Sequence, residues 1–510
     1  KLGRVSLFAK NATSDMASSF TGITGAPRIE EHRELFRQLS TEERRSWLRQ
    51  WTGGSEHSWL RQLTNGTDYL LGTTSKASTF AFEHVSLLYN DEPINKDEPA
   101  MTEFTATVNL TKNLVGACTL VLPLTLSKAS LIPGMLLLVC VGVLCCGSFV
   151  FIALLCKVLE CSTYRDMWAK SFGPQTSLMI DIGILLNAIF ACLAYVILVC
   201  DFLEDCVPHF IGWTPLRWQL ITIDTIVLVL PLSYIENISP LRIPSMIALL
   251  IIACIFIFVV TDWLLHFNVS IMNFQGDLME FNFGIFYATS VFTGAFKTHY
   301  NAPTFYRELG EDLAAHARVV RKSFGAALVV YALFALAGFG IWGNNVEGNV
   351  LKNYSQAAES ETNGPVLVAV LGMAVAVTLS YPLVFNSGRA AFYGLAPALE
   401  KAKETNPRRV HLAVTTFMVL FISCVACFVR DVQVVVGLTG ATIGMSLCFI
   451  IPAMVHLKIV FSPVRAALQH SHVDVGQLCS KPLIAFAILL LTFGSVSVVL
   501  GSLVVLGILT

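Results

Sequence analysis

From residue 105 onward the chain is a succession of apolar runs of about 20 residues, the length an α-helix needs to cross a hydrocarbon core of roughly 30 Å. Eleven can be read, near 108–128, 133–157, 177–203, 217–235, 243–263, 281–300, 319–342, 364–386, 409–429, 433–457 and 482–508. A backbone N–H or C=O left unpaired in lipid costs several kcal/mol, so only helices or closed barrels can span. Continuous runs lack the alternation of barrel strands. The expectation is an all-α membrane protein, with one transmembrane domain over 105–510. Composition agrees: 55% of residues are hydrophobic and 14% charged, which describes a chain whose solvent is largely lipid. A net charge of -1 with no basic face excludes a nucleic-acid partner.

Residues 1–104 read as a cytosolic N-terminal tail, polar and mixed in charge. Within it Leu35, Leu39 and Trp47 fall near helical spacing between charges, an amphipathic helix. The sequence SWLRQ occurs at 46–50 and again at 58–62. Such an element either packs locally or docks on a soluble partner or the bilayer surface. Nothing at the start resembles a cleavable signal peptide. Lys and Arg bias orients the spans. One set of alternate loops holds sixteen, among them Lys157, Arg242, Arg318, Arg408 and Lys458, against Lys128, Arg217, Lys352 and Arg430 in the other. The tail is therefore expected in the cytosol and the C-terminus outside or in a lumen. Sequons at Asn268 and Asn353 then fall in outer loops as glycosylation candidates, whereas those at Asn11 and Asn65 should be silent.

Most of the 14 cysteines lie inside apolar runs, as Cys145, Cys192 and Cys448 do, and read as buried free thiols. Cys424 and Cys427 form a CxxC, but in mid-helix and without a second pair, so no metal site is expected. HExxH, GxSxG and spaced His clusters are absent, so an enzyme is not expected either.

Two runs carry interruptions. In the first, Gly116 and Pro123 weaken the helix while Asn113, Cys118 and Thr119 supply polar groups. In the sixth, Thr289, Ser290, Thr293 and Gly294 occupy the middle, followed by Lys297, His299 and Pro303. Gly also serves close packing, and Ser or Thr its own helix. The interval from Gly116 to Gly294 covers five helices, as two inverted five-helix repeats plus one extra helix require. Broken helices at mid-membrane suit an amino acid zwitterion, with freed N–H groups for the carboxylate and freed C=O groups for the ammonium.

These segments resemble the amino acid/auxin permease family, in particular its sodium-coupled neutral amino acid transporter branch. NLVGACTLVLPLTL is similar to the family's first-helix motif and FGPQTSLMIDIGILLNAIFACLAYVILVCDFL to its third helix. FKTHYNAPTFYREL is similar to the end of the sixth, matching at His299, Tyr306, Glu308 and Leu309. LSYPLVFNSGRAAF is similar to the eighth, matching at Pro382 and Arg389. The resemblance covers about residues 105–510 and implies a LeuT-like fold. It places a substrate site between the first and sixth helices: Val115, Gly116, Ala117 and Cys118 with Thr289, Ser290, Thr293 and Gly294. It makes Ser380 a cation ligand together with first-helix backbone carbonyls, with Asn113 a further cation-binding or coupling candidate. Lys112 departs from the sodium-coupled pattern, because a fixed ammonium repels Na+. Coupling to H+ or Na+ is thus open.

Asp181, Asp224 and His299 are further coupling candidates, each carboxylate being either a proton relay or a structural pair. Lys297 is expected to snorkel to the cytosolic face and Arg389 to anchor or gate the eighth helix. The implied function is an amino acid symporter, favouring neutral substrates, with no cofactor beyond its coupling ion. The competing reading is an amino acid sensor that signals through the tail. The plasma membrane and a vacuolar or lysosomal-type membrane both fit.

Overall fold

The computed structural model describes residues 101–510 apart from 213, 236–241, 269–272, 275–277, 361–363, 462–476 and 510. The amphipathic stretch, the SWLRQ repeat and the sequons at Asn11 and Asn65 lie outside the described residues. Among those described, the secondary structure is helical, without strands. Eight helices are long and apolar enough to cross a bilayer: Leu131–Leu159, Pro174–Pro208, Met246–Leu265, Leu313–Asn345, Val366–Leu395, Pro407–Phe428, Val432–Phe461 and Lys481–Val505. A ninth is the bent pair Glu103–Leu114 and Ala117–Ala129, turned by 45°. The other two runs are helical but shorter. The fourth is Arg217–Asp224, a π-helical turn Thr225–Val229 and Leu230–Ser233; the sixth is Gly284–Ala295, a gap, then Ala302–Glu308. Eleven full-length spans are therefore not reached among the described residues, because the sixth is cut in two and the fourth stops early. Runs keep their sequence ordinals below.

Large apolar side chains stand exposed along the outer faces, among them Leu136, Val143, Leu250, Phe417 and Val496. In water such a girdle would aggregate; in hydrocarbon it costs nothing. The chain is a multi-pass integral membrane protein.

Packing separates the spans into two groups. The first run packs on the sixth and seventh, and the second run packs on the same two. The third lies along the eighth, while the fourth and ninth pack on each other and on those two. Equivalent positions of two five-helix halves thus keep company, first with sixth and third with eighth, as internal repeats require. The tenth and eleventh flank the sixth.

Small residues set the closest approaches. A Cβ on Gly440 of the tenth run would collide with Ser290 O of the sixth, and one on Gly501 of the eleventh would collide with Ser290 Oγ. Around Gly440 the tenth run widens into π-helical turns over Gly440–Gly444 and Ser446–Ile450. Thr439, Thr442 and Ser446 hydroxyls each donate to the carbonyl four residues back, at 2.5, 2.7 and 2.7 Å. Such back-bonding competes with the ladder and bends helices. Gly440→Leu should destabilise by about 3 kcal/mol or more through backbone collision. Gly183→Ala, whose Cβ would meet nothing within 4 Å, should stabilise by roughly 0.5–1 kcal/mol. Melting temperatures of the two purified variants, moving in opposite directions, check both.

Candidate functional site

The first break begins where Val115 (φ -76, ψ 106) and Gly116 (φ -147, ψ -162) turn extended after Leu114. The helix restarts at Ala117, and both the N–H and the hydroxyl of Thr119 donate to Gly116 O. The amides of Gly116, Ala117 and Cys118 precede that first intrahelical bond, at the electropositive end of Ala117–Ala129. In the sixth run the helix ends at Ala295 and restarts through His299–Asn301 into Ala302–Glu308, with Pro303 in the first turn where a missing N–H costs nothing.

Tyr331 of the seventh run joins the two breaks. Its hydroxyl lies 2.5 Å from Leu114 O and 2.9 Å from Ala295 O, the last helical residues before each gap. One hydroxyl proton serves two carbonyls at electronegative helix ends. The Tyr331 ring stands edge-on to Phe296, which stacks on Phe324. Tyr331 lies outside the interrupted runs, so inspection of those runs missed it. Thr298, in the sixth gap, is buried with its hydroxyl unpaired among the described residues. Lys297 is half-buried, its Cδ 3.7 Å from where a Gly444 Cβ would stand.

Of the expected substrate contacts, Val115, Gly116, Ala117 and Cys118 form the first break. Ser290 abuts Gly440 and Gly501, and Thr293 Cγ2 lies 3.5 Å from a Cβ placed on Gly444. Gly294 packs on the tenth run, with Gly440 Cα at an ordinary contact distance of 3.5 Å from its added Cβ. The hydroxyls of Thr289, Ser290 and Thr293 donate to Ile285, Phe286 and Thr289 carbonyls of their own helix.

The coupling candidates also separate. Asn113 is exposed. Ser380 Oγ donates 2.8 Å to Ala376 O in its own helix, and the eighth run packs chiefly on the third and fifth. Asp181 pairs with Arg165 at 3.0 Å, a structural contact at a helix end. Asp224 is buried, and neither carboxylate oxygen has a hydrogen-bond partner among the described residues. Buried His299 contacts Cys145 O at 3.0 Å and Cys448 Sγ at 3.1 Å. Arg389 ties three runs together through Ser233 O, Thr415 Oγ1 and Asn386 Oδ1, at 2.7, 3.0 and 2.7 Å. Asn268 is exposed, whereas Asn353 is buried and its amide donates 2.9 Å to Asn345 O.

Two cavities border this arrangement. One of about 310 Å³ reaches the first break at Val115 and Thr119, walled by Ile252, Phe256, Phe334 and Met373, with Lys112 at its edge. Another of about 510 Å³ lies at the far end of the first run between Lys128, Tyr287, Glu280 and Gln433. At the near end Arg318 Nη2 pairs with Glu103 at 2.6 Å and Glu308 O accepts from Met101 N–H, tying the first half-helix to the sixth and seventh runs.

Two facing broken helices within paired five-helix groups define a membrane transporter rather than an enzyme. A family model described as "Transmembrane amino acid transporter protein" matches residues 100–500, and the chain belongs to that family. It is 26% identical over 388 residues to the "Amino acid transporter AVT6A" of Arabidopsis thaliana, covering 71% of this chain and 84% of that one. It is 24% identical over 367 residues to the "Vacuolar amino acid transporter 5" of Schizosaccharomyces pombe, covering 69% and 83%. A solved structure described as "Inward facing conformation of Mhp1" aligns with a TM-score of 0.49 and 10% identity, over 79% of this chain and 91% of that one.

Removing the shared hydroxyl should leave two helix-end carbonyls unserved. Tyr331→Phe is expected to destabilise by about 1–3 kcal/mol and to lower uptake at least tenfold at equal expression. Uptake and melting measured together on purified protein check this.

Proposed function

We propose that the chain carries neutral amino acids by alternating access around the two breaks, coupled to protons, in a vacuolar or lysosomal-type membrane. The observation that supports the coupling most directly is Asp224, buried in the fourth run with no hydrogen-bond partner for its carboxylate among the described residues. An unpaired charge there costs about 2.5–3.5 kcal/mol, so the residue is stable as the acid and loses its proton only when water or a partner reaches it. Asp181 is already spent on Arg165. Ser380 is spent on its own helix and Lys112 stands beside the first break, which disfavours Na+ there.

The substrate carboxylate would take the amides of Gly116, Ala117 and Cys118 at the helix restart, and its ammonium the carbonyls of Leu114 and Ala295 in exchange for Tyr331. Lys297, in the gap of the sixth run, would repel a cationic side chain. The compartment is supported by relatives whose printed names are vacuolar, in Schizosaccharomyces pombe and Saccharomyces cerevisiae.

Proteoliposomes given labelled neutral, cationic and anionic amino acids under an imposed pH or Na+ gradient test the reading. Accumulation of neutral amino acids should follow the pH gradient. Asp224→Asn should lose that accumulation at least tenfold yet retain exchange between equal pH values. Accumulation driven by Na+ alone, or an Asp224→Asn variant that still responds to the pH gradient, would refute the coupling. Binding without any uptake would favour the sensor.

A further inference from the structure

The second, sixth and tenth runs meet at three fully buried side chains, Cys145, His299 and Cys448. Their donor atoms, two Sγ and one imidazole nitrogen, all lie within 4.8 Å of one another. We propose that these residues bind one thiophilic divalent metal ion, zinc being the charge-matched case.

The imidazole is set in the orientation a ligand needs. Its Nε2 stands 3.0 Å from Cys145 O, an acceptor only, so Nε2 carries the hydrogen and Nδ1 keeps its lone pair toward Cys448 Sγ at 3.1 Å. Metal-bound histidines are held in this way, the far N–H donating to a carbonyl while the near nitrogen ligates. Zinc bonds of roughly 2.3 Å to sulfur and 2.0–2.1 Å to nitrogen put tetrahedral donors about 3.5–3.8 Å apart. Between Nδ1 and Cys448 Sγ the cluster needs to open by a few tenths of an ångström, and Cys145 Sγ stands within 4.8 Å of both.

The surroundings hold the ligands in place. Ser148 donates to the Cys448 carbonyl, and Tyr164 donates 2.7 Å to the neighbouring Leu447 carbonyl, so the widened tenth run is pinned where Cys448 projects. Phe149 stands edge-on to His299, and Phe324 approaches the same ring. Binding requires no oxidant. The ion displaces one proton from each thiol, two protons leave, and the resulting dithiolate with one neutral imidazole and a divalent ion carries no net charge. A neutral unit is the form that a low-dielectric interior tolerates best. An ion here would join three runs, one of them broken.

The test uses the full chain, purified in lipid nanodiscs without chelator and equilibrated with zinc alone. Metal content by atomic emission should give one zinc per chain, and X-ray absorption at the zinc edge should give two sulfur scatterers with imidazole. Cys448→Ser should lower zinc occupancy at least tenfold at an unchanged elution profile. The double change Cys424→Ser with Cys427→Ser should leave it unaltered. Should Cys448→Ser fail to fold, the scatterer count of the wild-type protein decides alone. Absence of stoichiometric zinc, a sulfur count other than two, or full occupancy in a folded Cys448→Ser variant would overturn the site and leave an S–H to nitrogen hydrogen bond in its place. These readouts need no transport, so failure of the transport cycle proposed above would leave them untouched.

Discussion

Two half-helices of this transporter end in mid-bundle, and the hydroxyl of Tyr331 is the group that lets both endings sit side by side. Leu114 O and Ala295 O each close a helix whose dipole is negative at that end. Brought together without a donor they would repel and forfeit their hydrogen bonds, at about 1–3 kcal/mol for each orphaned carbonyl. A single hydroxyl proton cannot satisfy both in full. The junction is therefore stable yet replaceable by a richer donor, and an ammonium with three N–H groups is one. Tyr331 is fully buried, its ring edge-on to Phe296, so bulk water does not compete for the hydroxyl.

The remaining charges divide between building and moving. Arg389 clamps the eighth run to the fourth and ninth, and Arg165 with Asp181 fixes one end of the third. Those contacts make the third, fourth, eighth and ninth runs a scaffold. On the other side Glu103 and Arg318 bind the first half-helix to the seventh run through an exposed ion pair, and such pairs are weak enough to open in a cycle.

Run length and polarity revealed most of the architecture from the sequence, because lipid forces backbone pairing into helices and leaves the apolar pattern unbroken. Gly116 marked its break correctly, since a glycine followed by small polar residues cannot hold the ladder there. Gly294 stands one residue before the end of the sixth run's first half-helix at Ala295. Ser290 and Thr293 carry hydroxyls bonded to carbonyls of the preceding turn, a pairing that residue type alone does not reveal. Tyr331 was invisible because its partners are backbone atoms of two other runs. Cys145, His299 and Cys448 escaped metal-site spacing rules because three separate helices bring them together. Asp181 and Asp224 looked alike in sequence, and only the position of Arg165 tells them apart.

The central claim is that the first half-helix moves against the scaffold while the breaks exchange partners. Spin labels introduced through a noncanonical amino acid at Phe104 of the first run and Arg408 of the ninth, both exposed, allow that motion to be read by pulsed electron resonance in proteoliposomes. The account predicts a distance distribution with two populations whose ratio shifts when a transported amino acid is added, and a loss of that shift in Tyr331→Phe. A single distribution, unchanged by substrate in protein that transports it, would contradict the account.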